Sequence, residues 1–167
     1  IDFIGIVRAA VKNFTGQSRE GASTITMQVA RNFFLSSEKT LKRKINEILL
    51  SLKIENKLSK EEILELYINQ IYLGQRSFGF SAAANTYFNK TLENLNLAEI
   101  ALLAGLPKAP SRYNPLSNPD LAIARQHTVL NNMFKYGFID RPSYILALEE
   151  HLDLVEKNIR YEIQADY

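Results

Sequence analysis

Residues 38–58 contain the longest helical pattern of the chain, EKTLKRKINEILLSLKIENKL. Apolar residues recur in it at i, i+4, i+7 and i+11, which is one face of a helix. They form one stripe: Leu41, Ile45, Ile48 and Leu52. Leu49, Leu50 and Ile54 add apolar surface on other sides, so the second half of this helix is predicted to be central and buried on several faces. Ser37 is predicted to cap the helix.

The opposite side of the same helix carries a charged triplet. Arg43 and Lys44 precede Glu47 by four and three residues, so all three share a face. Two cations beside Glu47 favour its ionised form. They could also hold a diphosphate, with the arginine binding it as a fork. The spacing alone favours the alternative of a solvated face with ordinary helical ion pairs.

The rest of the chain also has helical period, and no sustained alternation indicates a substantial sheet. An all-α fold is therefore predicted. Ser59 and Glu62 have the spacing of a capping box. The tail alternates loosely and could be extended. The predicted helices outside 38–58 are 2–14, 24–35, 59–74, 79–88, 97–106, 120–136 and 141–151, and the tail is 152–167.

Composition excludes several classes of protein. The 167 residues are 46% hydrophobic and 23% charged, values of an ordinary globular domain. Without cysteine there is no disulfide scaffold, Cys-ligated zinc or Cys nucleophile. His127 and His151 are too few for a His-rich metal site, and we assign them no function. The net charge of +2 gives no argument for nucleic-acid binding.

No apolar stretch reaches the roughly 18–20 residues that span a bilayer. The chain begins at Ile1 rather than at Met, and we therefore expect it to be a piece of a longer protein.

Three further segments are candidates for function. Residues 21–28, GASTITMQ, put Ser23 and Thr24 at a helix start, where free N–H groups bind anions, and Arg31 follows within two turns. An ordinary N-cap is the alternative there, and it is common. Glu62, Glu65 and Asn69 share a helix face, and a structural role is expected of them. Arg125 is predicted to have a packed stem and an exposed head.

These segments together resemble the family 51 glycosyltransferase domain. This is the peptidoglycan transglycosylase module of class A penicillin-binding proteins and of monofunctional transglycosylases. Its second to fifth motifs match, in order, residues 21–28, 43–47 (RKINE), 63–69 (ILELYIN) and 125–133 (RQHTVLNNM). The resemblance covers roughly residues 1–139. Two departures are Ala22, where the family has Gly, and Met27, where it has Gln, so a side-chain contact from position 27 would be lost.

The front of the chain departs further from the family. Ile1-Asp2 resembles the pair that follows the family's first motif, so that motif is expected before the printed start. It carries the Glu taken as general base, and the 167 residues alone are therefore expected to make no glycan. The resemblance implies a lysozyme-like helical transglycosylase domain, truncated at its N-terminus, over 1–150. Residues 151–167 would begin a linker towards a transpeptidase domain.

The resemblance also implies a reaction and a site. The family polymerises lipid II into glycan strands, releasing undecaprenyl diphosphate, at the periplasmic face of the bacterial cytoplasmic membrane. Glu47 would be the catalytic residue of this chain. The substrate would bind at Ser23, Thr24, Gln28, Arg31, Arg43 and Lys44. Glu65, Asn69 and Arg125 would be structural members of their motifs. The resemblance implies no definite cofactor, a divalent cation could lie at the diphosphate, and no metal ligand is assigned.

The implied partners are lipid II, the growing glycan chain, the membrane and the inhibitor moenomycin, but no nucleic acid. Residues 32–36, NFFLS, with Arg31 and Lys39, would lie at the membrane, and a core role for Phe33 and Phe34 is the alternative. Two other functions stay open. A helical interaction domain would not explain four ordered motifs, and a lysozyme-like hydrolase would leave Arg43 and Lys44 without a role.

Overall fold

The structure is a computed structural model that describes residues 23–34 and 40–155. Within these ranges the fold is all-α, as predicted, and the pairing of extended chain is confined to a single bridge between Tyr72 and Phe78. Seven α-helices are described: α1 Ile25–Phe34, α2 Leu41–Glu55, α3 Lys60–Gln70, α4 Phe80–Phe88, α5 Leu97–Gly105, α6 Pro119–Lys135 and α7 Arg141–Glu149. Two 3-10 turns, Leu92–Asn94 and Leu106–Lys108, flank α5.

Side-chain caps set several helix ends. Thr40 has an extended backbone and accepts a hydrogen bond from the Arg43 N–H at 3.1 Å, so α2 begins at Leu41 and the predicted cap at Ser37 is wrong. The capping box of Ser59 and Glu62 is confirmed, with bonds of 3.1 and 2.7 Å. Helix α3 ends at Gln70 rather than near Gly74, because Ile71 is already extended.

The chain divides into two compact units between Ile71 and Tyr72. The described helices of the first unit are α1, α2 and α3, and α1 packs against both others. Their apolar centre is a cluster of four buried side chains: Val29, Ala30, Ile54 and Ile63. Burial of this cluster holds the three helices together.

The buried side of α2 is opposite to the predicted one. Leu41 is 85% exposed and Ile45 is 58% exposed, and Leu49 and Leu52 are exposed as well. The residues that α2 does bury are Glu47, Ser51 and Ile54, at i, i+4 and i+7. The predicted burial of the apolar stripe is therefore wrong except at half-buried Ile48. In the second half, Ile54 is buried and Leu50 packs against the core, as predicted, but Leu49 is exposed. The reason is that α2 packs through the face that carries Glu47.

The second unit is built around α5, which contacts α4, α6 and α7. Helix α5 is mostly buried and rich in small residues, and Ala98 and Ala101 join Leu130 of α6 and Ala147 of α7 in one cluster. Small side chains on α5 allow its neighbours to approach closely. At its end, a Cβ on Gly105 would lie 2.9 Å from the Cγ of Arg125 in α6.

The chain after α7 runs without helix or strand over residues 150–155. The predicted helix 2–14, the loop before Ser23 and residues 156–167 of the tail lie outside the described residues. The boundary predicted between 150 and 151 stays a prediction. In the described part, none of the helices is long and apolar enough to cross a lipid bilayer.

Candidate active site

Glu47 is the centre of the site and has no solvent exposure. Arg43 Nη1 donates to Glu47 Oε2 at 3.0 Å, and Lys44 Nζ donates to Glu47 Oε1 at 2.5 Å. The predicted shared face of the triplet is confirmed. The helical ion pairs of the alternative are present, but its solvated face is wrong for Glu47, because the carboxylate of Glu47 is wholly buried.

Ser23 joins the triplet from the residues just before α1. Its Oγ accepts a hydrogen bond from Lys44 Nζ at 2.8 Å and donates to Glu47 Oε1 at 3.3 Å. The contact spans 24 positions of the chain and depends on the packing of α1 on α2. Ser23, Arg43, Lys44 and Glu47 are called the Glu47 cluster below.

The Glu47 cluster is cationic overall, because two positive side chains surround one carboxylate. A carboxylate out of water is costly unless it is paired and hydrogen-bonded, and here both oxygens are engaged. The Arg43 side chain is 17% exposed. Its Nε is buried and has no hydrogen-bond partner within the described ranges.

The neighbours of Ser23 on α1 serve the helix and the core. Thr24 Oγ1 accepts from the Met27 N–H at 3.2 Å, which is the ordinary N-cap expected as an alternative. Met27 is fully buried. Buried Thr26 donates to Glu55 Oε1 of α2 at 2.6 Å, a contact that sequence reasoning did not foresee. Gln28 is half-buried in α1, and its substrate role stays a prediction.

Arg31 lies near α3. Burial raises the pKa of Tyr67, while the charge of Arg31 acts against that rise. Among the described residues, no hydrogen bond or ion pair joins Arg31 to the Glu47 cluster. Phe33 is exposed, whereas Leu35, Ser36 and Lys39 of the proposed membrane segment lie outside the described ranges. Its membrane role stays a prediction.

The remaining motif residues lie apart from this cluster in the chain. Glu65 and Asn69 are exposed on α3, and their structural role stays a prediction. Arg125 of α6 donates from Nε to the Gly105 carbonyl at 3.4 Å, and its guanidinium lies 6.0 Å from the centre of the Tyr113 ring. These contacts agree with the packed stem predicted for Arg125. His127 and His151 are exposed.

The donor atoms of the described residues do not form a metal site. The described residues hold no group of three or more histidine, aspartate and glutamate side chains that could bind a metal ion. Both oxygens of Glu47 are already taken by Arg43 and Lys44. Among the described residues, Glu47 therefore offers a divalent cation no free carboxylate oxygen, and the cation expected at the diphosphate stays a prediction.

Comparison with known proteins decides the family. A family model described as transglycosylase matches residues 1–134. The chain belongs to the transglycosylase family. It is 58% identical over 153 residues to penicillin-binding protein 1A of Neisseria gonorrhoeae, and 51% identical over 165 residues to that of Pseudomonas aeruginosa. These relatives support a transglycosylase domain of the class A penicillin-binding protein type.

The matched length differs among relatives. The alignment covers 91% of this chain but 19% of the Neisseria gonorrhoeae protein. A protein of Cupriavidus necator that carries a provisional transglycosylase name is 58% identical over 154 residues, which are 67% of its length. The chain thus spans about a fifth of the penicillin-binding proteins that it matches.

A solved structure agrees with this assignment. The crystal structure of penicillin-binding protein 1A from Haemophilus influenzae matches with a TM-score of 0.57 and 35% sequence identity. The match covers 80% of this chain and 17% of that one. The predicted lysozyme-like helical fold of the transglycosylase domain is therefore confirmed.

Proposed function

We propose that this chain is part of a peptidoglycan glycosyltransferase, which polymerises lipid II into glycan strands and releases undecaprenyl diphosphate, whereas the 167 residues alone make no glycan. The observation that carries the proposal is the Glu47 cluster, a buried carboxylate between two cations in a chain of the transglycosylase family. In the reaction, the 4-hydroxyl of lipid II attacks the anomeric carbon of the growing glycan. A new glycosidic bond forms, the hydroxyl proton passes to a general-base carboxylate, and the bond to the diphosphate breaks with its electron pair going to the diphosphate oxygen.

Arg43 and Lys44 would stabilise the leaving diphosphate. Negative charge grows on its oxygens in the transition state, and fixed cations placed there lower the barrier. The buried Nε of Arg43 adds an N–H that no described protein group uses. An arginine with such an N–H can bind diphosphate oxygens in a fork.

Glu47 would hold these cations in position and assist at the leaving group. Its two oxygens orient Arg43 and Lys44, which are otherwise long and flexible side chains. Ser23 would hold the side chains of Lys44 and Glu47 in place relative to each other through its two hydrogen bonds. Because both oxygens of Glu47 are engaged by cations, we assign the diphosphate charge to Arg43 and Lys44 and assign this site no metal.

Glu47→Gln tests the proposal in the intact protein. This variant keeps the shape of the side chain and removes its charge, so we expect at least a hundredfold loss in glycan synthesis from labelled lipid II. Glu61→Gln, on the exposed surface of α3, is the matched control and is expected to keep full activity. Circular dichroism checks that both variants fold. Near-normal synthesis by folded Glu47→Gln would refute the proposal.

A hydrolase of lysozyme type is separated from this function by its substrate. A hydrolase would cleave preformed glycan and would not need a lipid diphosphate. We expect no cleavage of preformed glycan, and we expect Arg43→Ala to lose polymerisation. Glycan cleavage that survives Arg43→Ala would favour the hydrolase.

Moenomycin carries a phosphate, and we propose that it binds at Arg43 and Lys44. Loss of one charged hydrogen-bond partner costs about 1.5–3 kcal/mol, so Arg43→Ala should weaken moenomycin binding by roughly tenfold or more. Lys42→Ala changes the adjacent exposed cation and is the control. The measurement is titration calorimetry, and equal affinity in both variants would contradict the placement.

We propose that the exposed apolar face of α2 lies against the cytoplasmic membrane, on its outer side. Leu41, Ile45, Leu49 and Leu52 form this face, and Phe33 of α1 is exposed as well. Monomeric proteins rarely expose a contiguous row of large apolar side chains unless that row is an interaction surface. The exposed lysines Lys42 and Lys53 on the same helix suit anionic lipid head groups.

A further inference from the structure

Residues 150–155, which follow α7, are held against the corner between α4 and α5. The Val155 N–H donates to the Tyr87 carbonyl at the end of α4, at 2.9 Å. Asn96, the N-cap of α5, donates from Nδ2 to Glu150 Oε1 at 3.0 Å. A segment without helix or strand is thus bonded near both of its ends.

Lys90 connects this corner to the segment electrostatically. Its Nζ donates to Glu99 Oε1 at 2.7 Å, and Glu99 is 1% exposed. The other Glu99 oxygen accepts from the Asn96 N–H at 3.0 Å. The hydrogen bond to Glu99 raises the pKa of Lys90, and attraction by Asp153 and Glu150 adds to the rise. Lys90 and Asn96 therefore share the buried carboxylate of Glu99, and Asn96 in turn bonds Glu150 of the segment.

Apolar contacts hold the middle of the segment. Leu152 packs against the cluster formed by Ala98, Ala101, Leu130 and Ala147. Leu152 and Leu154 also line a cavity of about 370 Å³. Its other walls include Leu102 of α5, Ile123 of α6 and Leu148 of α7. The segment is consequently one wall of a largely apolar cavity.

We propose that residues 150–155 are a strap, latched by the hydrogen bond of Glu150 with Asn96 and by that of Val155 with Tyr87, which closes this cavity. Asn96 is the fixed part of the first contact, because it is the N-cap of α5 and shares a capping box with buried Glu99. The strap shares no residue with the Glu47 cluster, so it stands whether or not the proposed function holds.

A charge reversal tests the latch. Glu150→Lys/Asp153→Lys removes the hydrogen bond from Asn96 to Glu150 and replaces two carboxylates of the strap by cations. We expect amide exchange over residues 150–155 to become about tenfold faster or more, because the bonds that close the strap are lost. Hydrogen–deuterium exchange of the intact protein, read by mass spectrometry, gives the rates. Exchange in α5 and α6 should stay at the native rate, which shows that the helices remain folded.

The matched control is Glu149→Lys/Asp120→Lys, which changes net charge by the same amount at two exposed positions. It is expected to leave exchange over residues 150–155 unchanged. Unchanged exchange in Glu150→Lys/Asp153→Lys would overturn the proposal. Equal acceleration in the control would overturn it too, because net charge rather than the latch would then be responsible.

Discussion

At the scale of single residues, a buried polar side chain depends on a specific hydrogen-bond partner. Tyr87 is fully buried, and its hydroxyl donates to the Leu73 carbonyl at 2.9 Å. Next to it, Gly74 has φ +92°, and a Cβ there would lie 2.6 Å from the Tyr87 hydroxyl. The glycine is therefore required both by its backbone conformation and by the space that Tyr87 occupies. Its residue type is thus decided by a side chain thirteen positions away.

Tyr87 gives the second unit a defined response to alkaline pH. Burial raises the pKa of Tyr87 to about 12, against about 10 in an unfolded chain. Below pH 10 the group is neutral in both states. Between pH 10 and 12 only the unfolded chain ionises, so the unfolding free energy should fall by about 1.4 kcal/mol per pH unit from this group.

Tyr87→Phe removes the titrating group and checks that prediction. Urea unfolding at several pH values from 9 to 12 gives the slope of unfolding free energy against pH for both proteins. The slope of the variant should be less steep by the amount stated. Identical slopes would mean that Tyr87 does not titrate between the folded and unfolded states as burial requires.

At the scale of single elements, the burial of the two faces of α2 is the reverse of what the sequence pattern suggests. The face with Leu41 and Ile45 is exposed, and the face with Glu47 and Ile54 is buried. Helical periodicity shows that a stripe exists but does not identify what covers it. In this helix, the paired charges and Ser51 pack towards the first unit's interior, and the apolar stripe is left outside.

Alanine substitutions on the two faces test this orientation. Ile45→Ala and Leu49→Ala should change the unfolding free energy by no more than about 0.5 kcal/mol, because these side chains are exposed. Ile54→Ala and Ile63→Ala, at buried positions, should each cost about 2–5 kcal/mol. Chemical denaturation measures all four. A loss above about 2 kcal/mol at Ile45 or Leu49 would show that the stripe is packed in the folded protein.

At the scale of the whole molecule, helix α2 carries both an exposed apolar face and Glu47, the centre of the proposed site for a lipid-linked substrate. The apolar face and the Glu47 cluster belong to opposite sides of the same helix. A surface that enters the outer part of a bilayer would bring the enzyme to a substrate anchored there. The proposed membrane contact thus links α2 to the proposed reaction.

Vesicle binding tests that contact. Leu41→Ser/Ile45→Ser/Leu49→Ser should reduce co-sedimentation with anionic phospholipid vesicles by about tenfold or more, because the apolar area that could enter the bilayer is removed. Ile145→Ser/Leu146→Ser changes exposed apolar residues of α7 and is the control. Equal binding by the two variants would contradict a membrane role for the α2 face.

Features that depend on neighbours along the chain were predictable from sequence. The helices of residues 40–149, the capping box of Ser59 and the shared face of Arg43, Lys44 and Glu47 all follow from spacings of three or four residues. The motifs of the family are likewise local strings, so the family could be predicted from them. The assignment of catalytic and substrate-binding roles stays a prediction.

Tertiary packing alone decided which side of α2 is buried and which distant groups meet there. Ser23 reaches Glu47 across 24 positions, and Lys90 reaches Glu99 across nine, only after helices have packed. From the sequence pattern, a charged helix face is expected to be solvated. A carboxylate with two cationic partners can nevertheless be buried, because its charge is balanced and its oxygens are hydrogen-bonded. The sequence by itself therefore determined the helices and the family. The tertiary structure decided that the charged side of α2 faces inward, since pairing of opposite charges there removes the cost that would otherwise keep Glu47 in water.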